Sequence, residues 1–257
     1  MKHETLFEKT IHLKKECGRM RLKPVLLFLL IFSTAQFGAF ADDAADNGWR
    51  TVSDENGIVV ENRPLDEFKM KQLRARCEVE APVEVIYEVM DDADSYHEWF
   101  GDCLLQRTIH RFNDYDKISY HVVDLPWPLN DRDAVSRVVT TADWEAGTVE
   151  TRVDSIRSVE EAAVWGMDPE TEKNGRVRMP VMDGIFTYTT TGPNTSAFTY
   201  IAIADPGIAL PGWLLNAFST TQPINTLRNL KKQVKKEIYW EKASARHGKV
   251  FSPEATE

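Results

Sequence analysis

The chain has 257 residues, of which 28% are charged, and its 40 acidic against 31 basic side chains give a formal net charge of −9 at pH 7. This length allows one or two domains. The acidic excess argues against nucleic acid or an anionic membrane surface as a broad electrostatic partner.

The first 41 residues have the three-part pattern of a secretory signal peptide. Arg21 and Lys23 precede the apolar run 25–32, and Ala39-Phe40-Ala41 supplies a cleavage signature of small residues. We therefore predict cleavage at the end of this signature and export, with the periplasm as the expected compartment. An uncleaved N-terminal anchor is the alternative, and Met20 is a second candidate for the start of translation.

Residues 42–48 are polar and are predicted to be a linker. A folded domain is predicted over residues 49–240, and it begins with a hairpin around the Asn56-Gly57 turn. A third strand is predicted over residues 70–80, after which Pro82 suits the first turn of a helix. The buried stripe of that helix is expected to be Val85, Ile86, Val89 and Met90.

The stretch 91–102 is both acidic and aromatic. Its aspartates lack the glycine and the terminal glutamate of a calcium-binding loop. We predict a solvated corner with aromatic side chains tucked inward and no metal site.

Six further segments have the short length and tight turns of antiparallel strands. They are residues 104–112, 117–123, 132–141, 148–156, 176–190 and 197–203. The segment 159–174 is too polar and irregular for a strand and is predicted to be a loop. Many strands followed by one long helix predict an α+β fold, in which a curved antiparallel sheet wraps around the C-terminal helix.

Residues 205–236 are predicted to form a loop rich in proline and glycine, followed by that long helix. The helix is apolar over a wide face, and Pro223 predicts a kink or break within it. Such a helix needs a sheet around it or a ligand against it. Residues 241–257 are polar and are predicted to be a disordered tail.

Motifs for catalysis are few. The sequence contains no Gly-x-Ser-x-Gly elbow, no phosphate loop and no His-Glu-x-x-His. His110 and His121 flank a predicted turn and could face each other, but two histidines without a third ligand are more typical of surface residues than of a metal site. Cys77 and Cys103 allow either a disulfide or two free thiols. We predict no metal and no cofactor.

Two motifs resemble those of START domains, the lipid-transfer domains related to the steroidogenic acute regulatory protein. One is Pro126-Trp127-Pro128-Leu129-Asn130-Asp131-Arg132-Asp133, and the other contains Asp205-Pro206-Gly207, Pro211, Trp213-Leu214 and Asn216. The acidic corner and the first hairpin are similar as well, so the resemblance spans about Trp49 to Ile238. It implies a helix-grip fold with a central hydrophobic cavity, a bound lipid or other hydrophobic small molecule, and no catalysis.

Arginine positions depart from the pattern of the animal steroid carriers, which place a buried arginine a few residues beyond the Arg-Asp pair. Val138 stands at that position here, and Arg137 is predicted to point to the other face of its strand. Arg132 has two interpretations. We favour a structural pair with Asp133, because a buried charge needs a partner; the alternative is that Arg132 holds a lipid head group.

The predicted elements and the resemblance together give a set of residues expected to line the cavity or to gate it. They are Trp99, Tyr120, Arg132, Val138, Phe186, Tyr188, Tyr200, Leu210, Trp213, Leu214 and Phe218. Trp213 is either a core residue or part of a gate that opens against a membrane surface. The expected protein is a monomer that contacts membranes transiently and does not bind nucleic acid.

Two other classes of function stay open. A helix-grip aromatase or cyclase would need polar catalytic groups in the cavity, and the first candidates are Tyr120, His121, Tyr188 and Tyr200. A partner-binding adaptor would instead have a filled core without a cavity.

Overall fold

The computed structural model describes residues 48–65, 68–166 and 175–253. The predicted signal peptide lies outside this part of the chain, and so do residues 42–47 of the predicted linker. The predicted α+β fold is confirmed, since a large antiparallel sheet is combined with a helical C-terminal segment.

Within the described residues, ten strands form one sheet. They are β1 (Arg50–Glu55), β2 (Ile58–Leu65), β3 (Phe68–Val79), β4 (Cys103–Asn113), β5 (Asp116–Val123), β6 (Arg132–Asp143), β7 (Thr148–Ser155), β8 (Val177–Arg178), β9 (Val181–Gly192) and β10 (Thr195–Asp205). The strand order is β1-β2-β3-β10-β9-β7-β6-β5-β4, and the short β8 pairs in parallel with β6. The third strand of the chain therefore pairs with the last one, β3 with β10, in the interior of the sheet.

The two strands at the ends of this order pair irregularly with their neighbours. The register of β1 against β2 shifts between Thr51 and Ser53. The register of β4 against β5 shifts three times: between Cys103 and Leu105, between Thr108 and His110, and between Arg111 and Asn113. Such β-bulges bend an edge strand and increase its local twist.

Two segments of the middle of the chain differ from the prediction. The strand expected over residues 176–190 is divided into β8 and β9 at Pro180, because proline has no backbone N–H for a ladder. The loop expected over residues 159–174 contains a short helix, α2 (Val159–Val164), in its described part. The Ser158 hydroxyl caps it by accepting a 3.2 Å hydrogen bond from the backbone N–H of Glu161.

The first long helix, α1 (Val83–Asp91), begins at the predicted proline, and its residues from Val83 to Met90 are buried. The acidic corner that follows contains a single 3₁₀ turn, Tyr96–Glu98, with Tyr96 and Trp99 buried as predicted. Within the three described ranges, no group of three or more His, Cys, Asp or Glu side chains is placed to hold a metal ion.

The predicted C-terminal helix is interrupted before its proline. Helix α3 (Gly212–Asn216) continues into a π-helical turn, Ala217–Thr221, and then into α4 (Gln222–Gln233), which contains Pro223. Pro223 has no N–H to donate to the carbonyl of Ser219, so the α-helical pattern cannot continue unbroken through this point.

The prediction of a disordered tail from residue 241 is wrong for its first part. Helix α5 (Glu237–His247) packs against α1, and Tyr239, Trp240 and Ala243 are 2%, 3% and 0% exposed. Arg246 anchors it further, with 2.5 Å between its Nε atom and Oε1 of the buried Glu88. Arg246 also pairs with Asp114 and Lys242 pairs with Asp92, each at 3.2 Å, so buried side chains and ion pairs together order a segment that is otherwise polar.

The main core lies between the helices and one face of the sheet. Helix α4 packs on β2 and β3 through Ile224, Leu227 and Leu230, which join a cluster containing Val60 and Cys77. A second, smaller cluster covers the opposite face of β5 and β6 beneath α2. The two faces of these strands therefore belong to two different apolar environments.

Candidate functional site

A cavity of about 500 Å³ lies between the inner face of the sheet and the helical C-terminal segment. Most of its wall is apolar or aromatic. These lining residues are Met70, Leu73, Met90, Tyr96, Phe100, Val123, Leu125, Val138, Val153, Met179, Met182, Phe186, Tyr200, Ala202, Ile203, Ala204, Pro206, Leu210, Leu215 and Phe218. The cavity rules out the filled core that a partner-binding adaptor would have.

Three aromatic rings form one continuous part of the wall. Phe186 of β9 and Tyr200 of β10 are paired across the two strands, and their rings stack with centroids 5.2 Å apart and planes 10° apart. Phe100 of the acidic corner meets both rings edge-on, with centroid distances of 6.4 Å and 6.0 Å. These contacts hold the ring positions and leave apolar faces towards the cavity.

The wall made by β5 and β6 carries polar side chains. Ser119 and His121 share the inner face of β5, because side chains two residues apart in a strand point the same way. Ser136 and Val138 likewise share the inner face of β6. Arg137, between the last two, points outward and pairs with Asp116 at 2.6 Å, as predicted from strand alternation. A polar stripe thus runs along a wall that is otherwise apolar.

His121 is the titratable group of this stripe. Its Nδ1 atom lies 2.7 Å from Oε1 of Gln106 and 3.8 Å from Sγ of Cys103. Because the Gln106 oxygen can only accept, Nδ1 carries the proton and Nε2 is left as an acceptor. Burial lowers the pKa of His121 to about 4, so the ring is neutral at pH 7.

Charged residues on the wall are engaged by the protein itself. The Lys117 ammonium donates to Oδ1 of Asp91 at 2.6 Å. The Asp183 carboxylate accepts from the backbone N–H of Ser155 at 2.8 Å and from Arg157 at 2.6 Å. Burial lowers the pKa of Lys117, against the attraction of Asp91.

Arg132 joins the cavity wall to the segment that covers it. Its Nε atom donates to the backbone carbonyl of Pro206 at 2.9 Å, and an Nη1 N–H donates to the carbonyl of Asn130. The expected pair with Asp133 is wrong, because neighbouring residues of a strand point to opposite faces. Asp133 instead receives Arg178 in a bidentate pair at 2.8 Å and 3.0 Å.

Residues 206–221, called the lid here, cover one side of the cavity. Leu210 and Phe218 line the cavity, whereas the Trp213 side chain is 63% exposed and Leu214 is buried away from it. Gln222, which follows the lid, donates to the carbonyl of Gly101 at 3.0 Å. A side chain at Gly101 would lie 3.1 Å from this glutamine, so the corner approaches the helix as closely as a glycine permits.

Comparison with known proteins assigns the chain. The family model of the START domain matches residues 42–237, which is most of its length. The chain belongs to the START family. The match ends at the first residue of α5.

Related proteins and structures agree with this assignment. An uncharacterized protein of Pseudomonas aeruginosa is 29% identical over 215 residues, which cover 82% of this chain and 98% of that protein. Human START domain-containing protein 10 is 23% identical over 207 residues, 80% of this chain and 67% of that protein. A crystal structure of the STAR-related lipid transfer protein from Xanthomonas axonopodis superposes with a TM-score of 0.62 at 24% identity, covering 74% of this chain and all of that one. These likenesses show the helix-grip fold.

Six of the predicted residues line the cavity of this START domain. They are Arg132, Val138, Phe186, Tyr200, Leu210 and Phe218. They lie on two parts of the sheet and on the lid, so the fold brings together residues from three separate regions of the sequence.

Five predicted residues lie elsewhere. Trp99 is 1% exposed and packs behind Tyr96, with ring centroids 4.7 Å apart. Tyr188 is fully buried and stacks on Phe198 at 5.9 Å. These two aromatics fill the core beside the cavity, while Trp213 and Leu214 face away from it, as described above.

Tyr120 is the fifth, and it is on the wrong face of β5. It belongs to the outer apolar cluster, and Arg107 stacks over its ring at 5.1 Å from the centroid. Its neighbours Ser119 and His121 line the cavity in its place. The sequence contained their signal in the strict alternation of β5, but only pairing with β6 shows which set points inward.

Two smaller predictions are also settled by the structure. His110 and His121 do not face each other, because His110 pairs with Ile118 and His121 pairs with Gln106. His121 is 5% exposed, so it is not the surface residue that was expected. Cys77 and Cys103 are buried free thiols, and burial raises the pKa of each to about 12.

Proposed function

We propose that this START domain binds one lipid or similar hydrophobic molecule in its cavity and carries it between membranes without chemical change. The observation that supports this is the cavity itself, whose volume of about 500 Å³ is within the usual range for ligand pockets. Burying hydrocarbon there is worth about 0.8 kcal/mol per methylene group. An apolar cavity of this size therefore suits a hydrophobic guest better than water.

Transient contact with a membrane is part of the proposal. Trp213 of the lid is 63% exposed and Trp127 is 91% exposed. The loop that carries Trp127 and the lid that carries Trp213 are joined by Arg132, which bonds the carbonyls of Asn130 and Pro206. Tryptophan is favoured at membrane–water interfaces, so we propose that this side of the domain faces the bilayer during loading and release. No helix in the described ranges is long and apolar enough to span a bilayer.

Export is proposed from the sequence of the first 41 residues. Fractionation of cells that produce the full-length protein, followed by N-terminal sequencing of the mature form, tests it. Recovery from the cytoplasm with Met1 or Met20 at the N-terminus would contradict export.

A catalytic role is the alternative that the proposal must exclude. His121 and Tyr200 line the cavity, whereas the other two candidates, Tyr120 and Tyr188, do not. The neutral imidazole of His121 can accept a proton, but burial raises the pKa of Tyr200 well beyond its usual value. We propose that these groups position a ligand and do not react with it.

The central experiment asks what the protein carries and whether the cavity is needed. The purified protein is extracted with organic solvent, and the extract is analysed by lipid mass spectrometry. Transfer of the lipid found is then measured between donor and acceptor vesicles. Ala202→Phe fills the cavity from β10, and Ala197→Phe is its matched control, since it places the same side chain on the opposite face of that strand.

We expect intact lipid in the extract, loss of binding and transfer in Ala202→Phe, and retention of both in Ala197→Phe. Equal transfer by the two variants would contradict a role for the cavity. Release of a chemically altered ligand, abolished by His121→Gln, would favour an enzyme instead.

A further inference from the structure

Two buried serines lie side by side on the cavity wall. Ser119 of β5 and Ser136 of β6 are directly paired in the antiparallel ladder, and both line the cavity. Their side chains are 2% and 3% exposed, and neither Oγ atom has a hydrogen-bond partner within the described ranges. Cross-strand neighbours of this kind have Cβ atoms about 5 Å apart, so one ligand atom can reach both hydroxyls.

An orphaned buried hydroxyl is costly for a protein. Removing a hydroxyl from water without giving it a partner destabilises the folded state. Two such groups at paired positions, both facing a cavity, are explained if a ligand supplies the missing partners. By contrast, the Thr151 hydroxyl on the same cavity wall is already bonded to Thr140 at 2.9 Å.

The surroundings of the pair are electrically neutral or already neutralised. Lys117, two residues before Ser119 on the same face, donates to Asp91. His121, two residues after it, is a neutral imidazole held by Gln106. Lys71 and Asp102 also line the cavity, but their side chains are exposed.

The pair is also distant from the lid. Arg132, which bonds the lid at Pro206, lies four residues before Ser136 on the same face of β6. At about 3.3 Å per residue, Ser136 is roughly 13 Å further along the wall. The apolar residues Val123 and Leu125 extend the wall from β5 towards the lid end.

We propose that Ser119 and Ser136 form a subsite for an uncharged oxygen group of the ligand, a hydroxyl or a carbonyl. This deepens and rests on the proposed function: the cargo is a neutral lipid that binds with its polar group inward and its hydrocarbon towards the lid. Each serine hydroxyl offers one donor and two acceptor sites, so a ligand hydroxyl can donate to one serine and accept from the other. A carboxylate or phosphate would lose its hydration here without gaining an uncommitted cation, which disfavours a charged head group.

The test compares ligands that differ only in the polar group. Full-length purified protein is loaded with diphenylhexatriene, and the dye is displaced by oleyl alcohol, by 9-octadecene or by oleate. We expect oleyl alcohol to bind about tenfold more tightly than the hydrocarbon, which corresponds to about one net hydrogen bond. Oleate at pH 8 is expected to bind more weakly than the alcohol.

Three variants assign that preference to the serines. Ser119→Ala combined with Ser136→Ala should abolish the preference for the alcohol and leave the affinity for the hydrocarbon unchanged. Thr151→Val, which removes a partnered hydroxyl from the same wall, should keep the preference. The ligand-free double variant should melt at the same or a higher temperature, because the orphaned hydroxyls are gone.

Failure of the serine subsite and failure of the proposed lipid-binding function give different results. Equal binding of alcohol and hydrocarbon, tighter binding of oleate, or an unchanged preference in the double variant would overturn the subsite and leave the lipid-binding function standing. A lower melting temperature of the double variant, with its preference intact, would assign the serines a structural role. Binding of none of the three ligands would refute the lipid-binding function, and the subsite with it.

Discussion

The guanidinium of Arg132 donates a 2.9 Å hydrogen bond to the backbone carbonyl of Pro206, 74 residues further along the chain. This bond fixes the first residue of the lid to the first residue of β6. Burial lowers the pKa of Arg132, but the side chain is expected to stay charged, because arginine titrates far above neutral pH. A charged donor thus holds the start of the lid against the cavity wall.

Arg132→Gln should loosen the lid. Hydrogen bonds from charged donors contribute about 1.5–3 kcal/mol each, so we expect the free energy of unfolding to fall by about 2 kcal/mol. Amide hydrogen exchange over residues 206–216 should become faster. The matched control is Arg137→Gln, on the same strand but 57% exposed and paired with Asp116. If lid amides exchange at the same rate in both variants, the bond does not restrain the lid.

Trp213→Ala should affect transfer more than stability. Because the side chain is 63% exposed, its removal should change the free energy of unfolding by less than about 1 kcal/mol. Trp99→Ala is the comparison, since a 1% exposed tryptophan is expected to cost about 3–5 kcal/mol. Urea denaturation and transfer between vesicles measure the two effects. A large loss of stability in Trp213→Ala, with unchanged transfer by the folded fraction, would make Trp213 a core residue.

His121 should make the protein less stable as the pH falls from about 6.5 to about 4. Its pKa in the folded state is lowered to about 4, so the unfolded chain takes up the proton first and is favoured by it. The stabilisation is complete above the pKa that His121 has in the unfolded chain, and it is lost as the pH falls to the pKa of the folded state. It amounts to about 3 kcal/mol. Urea denaturation at several pH values should show a flatter dependence for His121→Gln. Parallel curves for the two proteins would contradict this assignment.

Deleting α5 should unfold or severely destabilise the domain. A chain ending at Lys236, close to the end of the family match, loses the buried Tyr239, Trp240 and Ala243 and leaves Glu88 without Arg246. A chain ending at Pro253 retains all of these contacts and is the control. Circular dichroism during thermal unfolding should show a cooperative transition for the longer chain alone. Similar transitions for both would mean that α5 is dispensable.

The fold was predictable from the sequence because its signals are periodic and local. Alternating side chains predicted the strands, turn residues predicted the connections, and a wide apolar face predicted the C-terminal helix. The motif around Arg132 indicated the family. The face of each strand was not predictable in the same way. Tyr120 was predicted to line the cavity, yet the register of β5 on β6 directs Ser119 and His121 inward. That register depends on contacts distant in sequence.

In the lid, too, the sequence did not show which side chains face the cavity. Leu210, Leu214 and Phe218 are four residues apart and would share one face of a regular helix. In the structure Leu210 precedes α3, and the π-helical turn at Ala217–Thr221 changes the phase beyond it. Leu214 therefore leaves the cavity face that the other two residues keep. Helix α5 was missed because the segment after Trp240 is mostly polar and because its partner, α1, lies far away in sequence.

The irregular edges of the sheet have a consequence for how copies of this protein behave when crowded. An unpaired strand edge is a template on which a second chain can add its own strand and begin an aggregate. The three register shifts of β4 and the one of β1 break the even spacing of donors and acceptors that such an addition needs. If the protein exchanges a lipid as proposed, its apolar cavity wall would be exposed at each exchange, and irregular sheet edges would then disfavour polymerisation through the backbone.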